Sequence, residues 1–423
     1  MGMREIAVVG AGQSGLHLAL ALQADGHRVT VVAERTPEQI RAGRITSSQA
    51  MFGPARAIER AAGLALWDGV APDTRALHTV VGVDAKPVLT IDAQPAAAAH
   101  SVDQRVKTAA WLELFEERGG RVEYRRLEPD GLAALAARHE LTVVAAGRGA
   151  LGSVFARDDA RSRFDAPQRT LACLYLNGVG TPADLPSTAG DPARIHIVAG
   201  AGELVLQPAL TLSGPCVILL WEAVPGGPLD VFGDGPDPAT ALARSLDLIR
   251  WHLPWEYEAL SDAEPTDAGA TLFGAVTPIV RHPVARPTPD GGPVLGMADT
   301  LVLNDPITAQ GANNATRCAA LHAAAVTEHG DGPFDEAWMR GVFAAYWEQA
   351  RHTVDFTAAM LGPLPDHIGW AFAEAAARPE VAARLAGTYE DPTDFSRWLG
   401  SPEATARYLT GSAAPGGTAG PSV

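Results

Sequence analysis

Residues 6–15 read Ile6-Ala7-Val8-Val9-Gly10-Ala11-Gly12-Gln13-Ser14-Gly15, which places an apolar strand directly before a glycine-rich turn. A helical pattern follows over residues 16–24, ends at Gly26, and leads into a second apolar run at residues 29–32. Strands that are apolar on both faces are typical of a parallel sheet covered by helices. The segment therefore predicts a βαβ unit near the start of the chain and, with it, an α/β fold.

Three glycines in this turn, Gly10, Gly12 and Gly15, have the spacing of a dinucleotide-binding unit. The first permits the tight turn, the second lets the backbone approach a pyrophosphate, and the third lets the helix pack on the strand. The first turn of the helix, which includes Ser14, favours the negative charge of the phosphates. The sequence thus predicts that these four residues bind a dinucleotide.

The acidic residue expected at the end of the second strand is displaced by one position. The usual spacing from Gly10 falls on Ala33, and Glu34 follows it. Glu34 is still predicted to reach the adenosine ribose hydroxyls, with altered geometry and a weaker grip on the cofactor.

A second motif lies far along the chain and predicts a flavin. A carboxylate after a strand, Asp299, suits the ribityl hydroxyls of FAD. Asp305-Pro306 then leads into a helix at about residues 312–328, whose backbone N–H groups suit the pyrimidine edge of the flavin. The residues predicted to bind FAD at this motif are Asp299, Pro306, Gln310, Gly311, Ala312 and Asn313. Together, the two motifs resemble the glutathione-reductase-type FAD-binding fold in its aromatic-hydroxylase-like branch.

Three segments resemble the two-component styrene and indole monooxygenases. They are Ala-Leu-Gly-x-Val-Phe at 150–155, Arg-Ala-Gly-Arg at 41–44 and Asp-Pro-x-x-x-Gln-Gly-Ala-Asn at 305–313. The resemblance spans roughly residues 3–400 and implies a Rossmann-like FAD domain, a β-sheet substrate domain and C-terminal helices. It also implies reduced FAD supplied by a separate NADH:FAD oxidoreductase, O2 as cosubstrate and epoxidation of an aromatic alkene or indole, and it suggests a homodimer.

Two sequence features favour an external reductase. No second Gly-x-Gly-x-x-Gly lies in a βαβ unit, and Ala146-Gly147 stands where self-sufficient aromatic hydroxylases carry Asp-Gly. Two alternatives stay open at this point. One is a single-component, NAD(P)H-dependent aromatic hydroxylase, and the other is a flavin-free, non-catalytic binding protein on the same fold.

Ser47, Gln49 and Met51 alternate in a segment that, if extended, directs all three to one side. By resemblance these are the residue types of the indole-preferring members, and a Gln or Ser oxygen can accept the indole N–H. The competing interpretation is a solvent-facing loop. Pro278 resembles the family's proline near the flavin, but a strand-edge proline is the equal alternative.

Arg44 and Arg105 are predicted to pair with the flavin phosphates, with ordinary ion pairing as the alternative.

Composition excludes several other functions. The chain has 33 Lys and Arg against 49 Asp and Glu, a net charge of −16, which disfavours nucleic acid and anionic membranes. Its 3 cysteines are far apart and its 12 histidines show no metal-binding spacing, so neither a disulfide framework nor a metal site is expected. Without an apolar run of membrane-spanning length or a signal-peptide pattern, a cytoplasmic location is expected.

The sequence also predicts how the chain divides. The FAD-binding domain is expected at 1–73, 100–165 and 285–330, the β-rich substrate domain at 74–99 and 166–284, a helical region at 331–410, and a disordered tail at 411–423.

Overall fold

The computed structural model describes residues 2–147, 149–182, 185, 192–289 and 291–411 of the 423-residue chain. Apart from Gly411, the predicted tail lies outside the described residues. Two large sheets with covering helices account for most of what is described.

Six strands of the described residues form a sheet that is parallel except at one edge. In spatial order they are Val284–Ala285, Val294–Gly296, Leu141–Val144, Glu5–Val9, Arg28–Ala33 and Arg121–Tyr124. The central strands are almost completely buried, as the continuous apolar runs predicted. The carboxyl ends of the parallel strands therefore meet at one edge, where ligands of open α/β sheets bind.

Helices surround this six-stranded sheet. They are Gln13–Ala24, Pro37–Arg41, Gly53–Ala61, Gln104–Glu117, Pro129–Ala136, Ala150–Ser153 and Gly311–His329. The helices Gln13–Ala24 and Gly311–His329 pack against each other, so the two predicted glycine motifs come together although about 300 residues separate them in sequence.

A second, eight-stranded sheet is mostly antiparallel within the described residues. Its strands are, in order, Glu264–Pro265, Thr170–Asn177, Gly214–Ala223, Gly202–Thr211, Ala193–Val198, Leu77–Val83 and Lys86–Ala93, with Thr271–Ala275 also paired to Thr170–Asn177. One face buries Leu219 and Trp221 against helix Pro238–His252. The opposite face carries Cys173, Tyr175 and Leu220.

Two hairpin turns join neighbouring strands of this sheet. The strands Ala193–Val198 and Gly202–Thr211 form a hairpin around the glycines at 200 and 202. Asp84 and Ala85, with φ of 50° and 57°, make the turn before strand Lys86–Ala93.

The C-terminal part of the description is helical, as expected. Its helices are Glu336–Leu361, Asp366–Ala377, Pro379–Glu390, Phe395–Trp398 and Pro402–Thr410, and Pro363 and Pro392 lie between helices. Two short pairs, Ile279–Val280 with Val302–Leu303 and Asp73–Thr74 with Ala99–His100, complete the strands. Of the helices described, none combines the length and apolarity needed to cross a bilayer. The domain boundaries given above stay a prediction.

Candidate functional site

A continuous cleft runs along the carboxyl ends of the parallel strands. It consists of two cavities, of about 490 and 910 Å³, that share Gly12, Arg35, Thr46 and Ala146 in their walls. The smaller cavity extends toward Glu34, and the larger one reaches the substrate-facing side of the eight-stranded sheet. A single elongated ligand can therefore lie across the start of helix Gln13–Ala24.

The three positions of the first motif are glycine for different physical reasons. Gly10 has φ +114°, and a Cβ there would lie 2.7 Å from the Ala145 carbonyl oxygen. A Cβ on Gly15 would lie 2.0 Å from the Gly10 carbonyl oxygen, so both positions require glycine for packing. A Cβ on Gly12 would meet nothing within 4 Å, and this residue faces the cleft. Its missing side chain is explained by a ligand that approaches the backbone.

Both helices that open onto the cleft begin without a side-chain cap. Gly12 precedes Gln13–Ala24, and Gln310 precedes Gly311–His329. Ser14 is buried in the first turn of the former. Gly311 and Ala312 line the larger cavity, and a Cβ on Gly311 would also meet nothing within 4 Å. Two uncapped helix starts facing one cleft suit a ligand with two electron-rich parts, as FAD has at its pyrophosphate and its pyrimidine edge.

In the second glycine motif, the side chains of Gln310 and Asn313 bind the protein's own backbone. The Gln310 amide donates to the carbonyl oxygens of Thr308, at 3.0 Å, and Tyr389, at 2.8 Å. Asn313 donates to the Ala50 carbonyl oxygen at 2.9 Å and accepts from the Phe52 N–H at 2.9 Å. Both side chains are fully buried. Their side chains therefore position the helix start and the segment after Gln49, while Gly311 and Ala312 face the cleft.

The remaining predicted FAD contacts lie along the cleft wall. Asp299 is exposed in the larger cavity, two residues beyond Met297 and next to Gly147. Pro306 lines the same cavity and starts the short 3-10 helix Pro306–Thr308. Glu34 is 64% exposed at the outer end of the smaller cavity. These three residues therefore line the cleft, and their contacts with FAD stay a prediction.

The two arginines are placed differently from the phosphate-binding prediction. Arg105 is buried and paired with Asp103 at 2.8 Å and Asp267 at 2.9 Å, so its guanidinium is committed to carboxylates. The alternative of ordinary ion pairing therefore describes Arg105 better. Arg44 is exposed next to the buried Ile45. Arg35, which the sequence analysis did not single out, lines both cavities.

Of the three alternating residues, two face the larger cavity. Ser47 and Gln49 line it, whereas Met51 is buried behind the wall, where its thioether accepts the Gln13 amide at 3.2 Å. A backbone bridge to His100 fixes Met51 there. The prediction that all three face one side fails for Met51 because its sulfur is held in this buried contact.

The Gln49 side chain is held by two neighbours. Its amide nitrogen donates to Ser101 Oγ at 3.3 Å and to the Tyr175 hydroxyl at 3.1 Å. Gln49 is 5% exposed, and its Oε1 has no hydrogen-bond partner among the described residues. A buried amide oxygen without a partner is costly and therefore indicates a ligand or water that donates to it.

Pro278 does not reach the larger cavity. It is buried facing Arg161 and Phe164, while its neighbours Thr277 and Ile279 line the cleft. This is the strand-edge arrangement, since Pro278 immediately precedes strand Ile279–Val280. The cavity wall beside Gln49 is instead made by apolar side chains of the eight-stranded sheet, namely Leu171, Cys173, Leu220, Leu272 and Phe273.

A buried acidic cluster, which reaches the larger cavity through Asp305, was missed by sequence reasoning. Asp305 lines the larger cavity, and its Oδ2, like both carboxylate oxygens of Glu222, has no partner in the part of the chain described. Glu203 is paired with Arg169 at 2.8 Å. Burial raises the pKa of Asp305 to about 7 and the pKa of Glu222 well above its usual value, where the neighbouring acids add to the shift. Asp305 was noticed only as part of a motif, because nothing local shows that Glu203 and Glu222 lie beside it.

The described residues contain no group of three or more His, Cys, Asp or Glu side chains arranged to hold a metal ion. All three cysteines are buried as free thiols, and burial raises the pKa of Cys216 and Cys318 to about 12. Cys173 therefore enters the site as an apolar wall residue rather than a thiolate.

Comparison with known proteins gives related sequences and similar folds. Residues 147–259 match the family described as "Styrene monooxygenase A putative substrate binding domain". Styrene monooxygenase StyA of Pseudomonas fluorescens is 28% identical over 332 residues, which cover 77% of this chain and 78% of that protein. These matches relate the chain to the styrene monooxygenase family.

Solved structures show the same fold at low sequence identity. The flavin-dependent brominase Bmp2 has a TM-score of 0.65 at 15% identity, covering 97% of this chain and 100% of that one. PqsL of Pseudomonas aeruginosa has a TM-score of 0.59 at 17% identity, covering 93% and 99%. The predicted α/β FAD-binding fold is thereby confirmed, and the relatives and neighbours together support a flavin monooxygenase.

Proposed function

We propose that this protein is the oxygenase of a two-component flavin monooxygenase that epoxidises an aromatic alkene or the indole C2=C3 bond, with indole favoured. Reduced FAD would come from a separate NADH:FAD oxidoreductase. The observation that carries this proposal is the continuous cleft, which passes two uncapped helix starts and ends at Gln49.

The residues present fit FAD along this cleft. Gly12 would leave room for the pyrophosphate, the backbone N–H groups of Gly311 and Ala312 would bind the pyrimidine edge of the ring, and Asp299, which lines the same cavity, would bind the ribityl hydroxyls. When bound in its reduced form, the flavin supplies the electrons and activates O2, of which one atom goes to the substrate and one to water. Glu34 is mostly exposed, which suits a cofactor that is exchanged with another protein.

The protein's own contribution is to orient the double bond and to exclude water. The apolar wall that includes Leu220 and Phe273 suits a flat aromatic ring. Gln49 Oε1 is the buried acceptor on that wall, and indole carries an N–H donor that styrene lacks. Preference for indole therefore follows from the unpaired oxygen.

Turnover with and without a reductase tests the reaction. Purified protein is given indole, FAD, NADH and O2, and indoxyl or indigo is measured. Product that depends on an added NADH:FAD oxidoreductase supports the two-component assignment. NADH oxidation by the protein alone would contradict it and favour the single-component hydroxylase, while failure to bind FAD in either redox state would favour the non-catalytic alternative.

Gln49→Val tests the substrate preference. The variant removes the acceptor and keeps an apolar wall, so kcat/KM for indole should fall about tenfold relative to styrene. N-Methylindole serves as the matched substrate control, because it has the ring without the N–H donor. If kcat/KM decreases by the same factor for indole and for styrene, Gln49 does not recognise the indole N–H.

A further inference from the structure

We propose that Tyr175 and Ser101 determine substrate specificity by fixing the orientation of the Gln49 amide. They hold its NH2 group by two hydrogen bonds, so that only the carbonyl oxygen, which has no partner among the described residues, is left for a substrate. The inference rests on the proposed function, because it concerns the same aromatic site. It adds two positioning residues that do not themselves line the cavity.

The Ser101 hydroxyl already donates a hydrogen bond to the protein backbone. Its hydroxyl donates to the main-chain carbonyl oxygen of Gln49 at 2.6 Å, which is the shorter of its two contacts with that residue. The side-chain nitrogen of Gln49 lies 3.3 Å from the same hydroxyl oxygen. Since the hydroxyl carries one proton, Ser101 can only accept in the second contact.

Tyr175 is restricted in the same way. Its hydroxyl donates to the Ser47 carbonyl oxygen at 3.0 Å and lies 3.1 Å from the Gln49 amide nitrogen. Complete burial raises the pKa of Tyr175 well above its usual value, with Asp103 adding to the shift, so the phenol keeps its proton. Tyr175 is therefore also an acceptor toward Gln49.

The two neighbours together leave one orientation for the amide. If the Gln49 amide were flipped, its carbonyl oxygen would face the hydroxyl oxygens of Ser101 and Tyr175. Both hydroxyls already donate to backbone carbonyl oxygens, so the two hydrogen bonds to the amide would be lost. Each lost hydrogen bond costs about three- to tenfold in the population of the flipped form. The presented Oε1 thus favours ligands with an N–H or O–H donor and disfavours ring ethers of the same shape.

Tyr175 and part of the apolar wall belong to one strand. Leu171, Cys173 and Tyr175 alternate on the same face of Thr170–Asn177, and the first two line the cavity. Ser101 comes from the segment beside strand Ala99–His100, which bridges to Met51. A bicyclic substrate whose ring packs on this strand has its edge directed to the Gln49 oxygen.

The test measures binding rather than turnover. Calorimetry on the FAD-loaded, oxidised protein gives the Kd of indole and of 1-benzofuran, which has the same bicyclic shape with oxygen in place of N–H. The proteins compared are wild type, Tyr175→Phe, Ser101→Ala and the double variant, with circular dichroism and FAD affinity as controls for folding.

The expected result concerns the ratio of the two Kd values. Wild type should favour indole, and the double variant should lose about tenfold of that preference. Each single variant should lose less, because the remaining neighbour still accepts from the amide. A purely structural defect would instead weaken both ligands equally and leave the ratio unchanged.

Two other outcomes separate the claims. If the double variant keeps the wild-type preference for indole, Tyr175 and Ser101 do not determine the orientation of the Gln49 amide, but Gln49 can still be the acceptor. Equal binding of both ligands by wild type, or binding of neither, would overturn both. The dependence of turnover on a reductase is measured separately, so the flavin chemistry is judged on its own result.

Discussion

Two polar groups of residues, each with one member in the lining of the larger cavity, are built on opposite principles. The neutral wall consists of Gln49, which lines the cavity, and of its hydrogen-bond partners Ser101 and Tyr175; each donor has an acceptor, and the Gln49 Oε1 is left without a partner among the described residues. The acidic wall consists of Asp305, which lines the cavity, and of Glu222 near it; both are buried carboxyl groups with oxygens that have no partner among the described residues, and the Arg169–Glu203 pair lies beside them.

This difference separates recognition from electrostatics. The neutral wall distinguishes ligands that have a hydrogen-bond donor from ligands that lack one, and it contains no group that titrates near neutral pH. The acidic wall holds more carboxyl groups than arginines in a buried place, so protons must compensate the charge. Changes on the acidic wall should therefore alter stability and its pH dependence, whereas changes on the neutral wall should alter the choice of substrate.

The largest effect is expected on removing the cation of the acidic wall. Arg169→Met leaves the Glu203 carboxylate, which is 13% exposed, without its partner and next to two further acids. We expect the free energy of unfolding at neutral pH to fall by about 3–5 kcal/mol, measured by urea denaturation.

Arg163→Met is the matched control, because it removes an ion pair with Asp355 in which the arginine is 58% exposed. Its cost should stay below about 1 kcal/mol. Adding Glu203→Gln to Arg169→Met should restore part of the stability. Equal losses in the two arginine variants would show that the acidic wall is solvated.

Asp305→Asn should change how stability depends on pH. The pKa of Asp305 is raised by burial to about 7, so the folded protein holds this proton more tightly than the unfolded chain. Its contribution is complete at low pH and is lost as the pH rises from about 4 to about 7. Relative to the Asn variant, wild type should lose about 2–4 kcal/mol of unfolding free energy between about pH 4 and about pH 8. Parallel curves for the two proteins would contradict the raised pKa.

The sequence predicted the parts of the cleft that depend on local rules. Gly10 and Gly15 are required by a turn and a close helix approach, and both needs are visible within one βαβ unit. The helix near Gly311 was also predicted from a local signal, the glycine that precedes a helical pattern. Such features can be recognised because their cause lies within a few residues.

What the sequence did not predict depends on distant neighbours. Tyr175 is 126 residues from Gln49 in sequence. Its role as a hydrogen-bond acceptor for the Gln49 amide follows from the hydrogen bond that its hydroxyl donates to the Ser47 carbonyl oxygen, which the residue type alone does not reveal. Phosphate binding and ion pairing were both left open for Arg105, and one of its two carboxylate partners, Asp267, is 162 residues away in sequence. Ser47 and Gln49 line the cavity as expected, but so do Thr46 and Ser48, so the segment does not alternate, and Met51 is held outside the cavity lining by a contact from Gln13 on another helix.

The smallest effect is expected on the neutral wall, where discrimination between indole and 1-benzofuran should not respond to pH. Ser101 and Gln49 do not titrate, and the pKa of Tyr175 lies far above the range. The ratio of the two Kd values should stay within about twofold from about pH 6 to about pH 9, even if both Kd values change as Asp305 ionises. A step in the ratio near pH 7 that disappears in Asp305→Asn would show that the acidic wall reaches across the cavity to the Gln49 oxygen. A step that persists in that variant would mean that a titrating group acts on the neutral network itself.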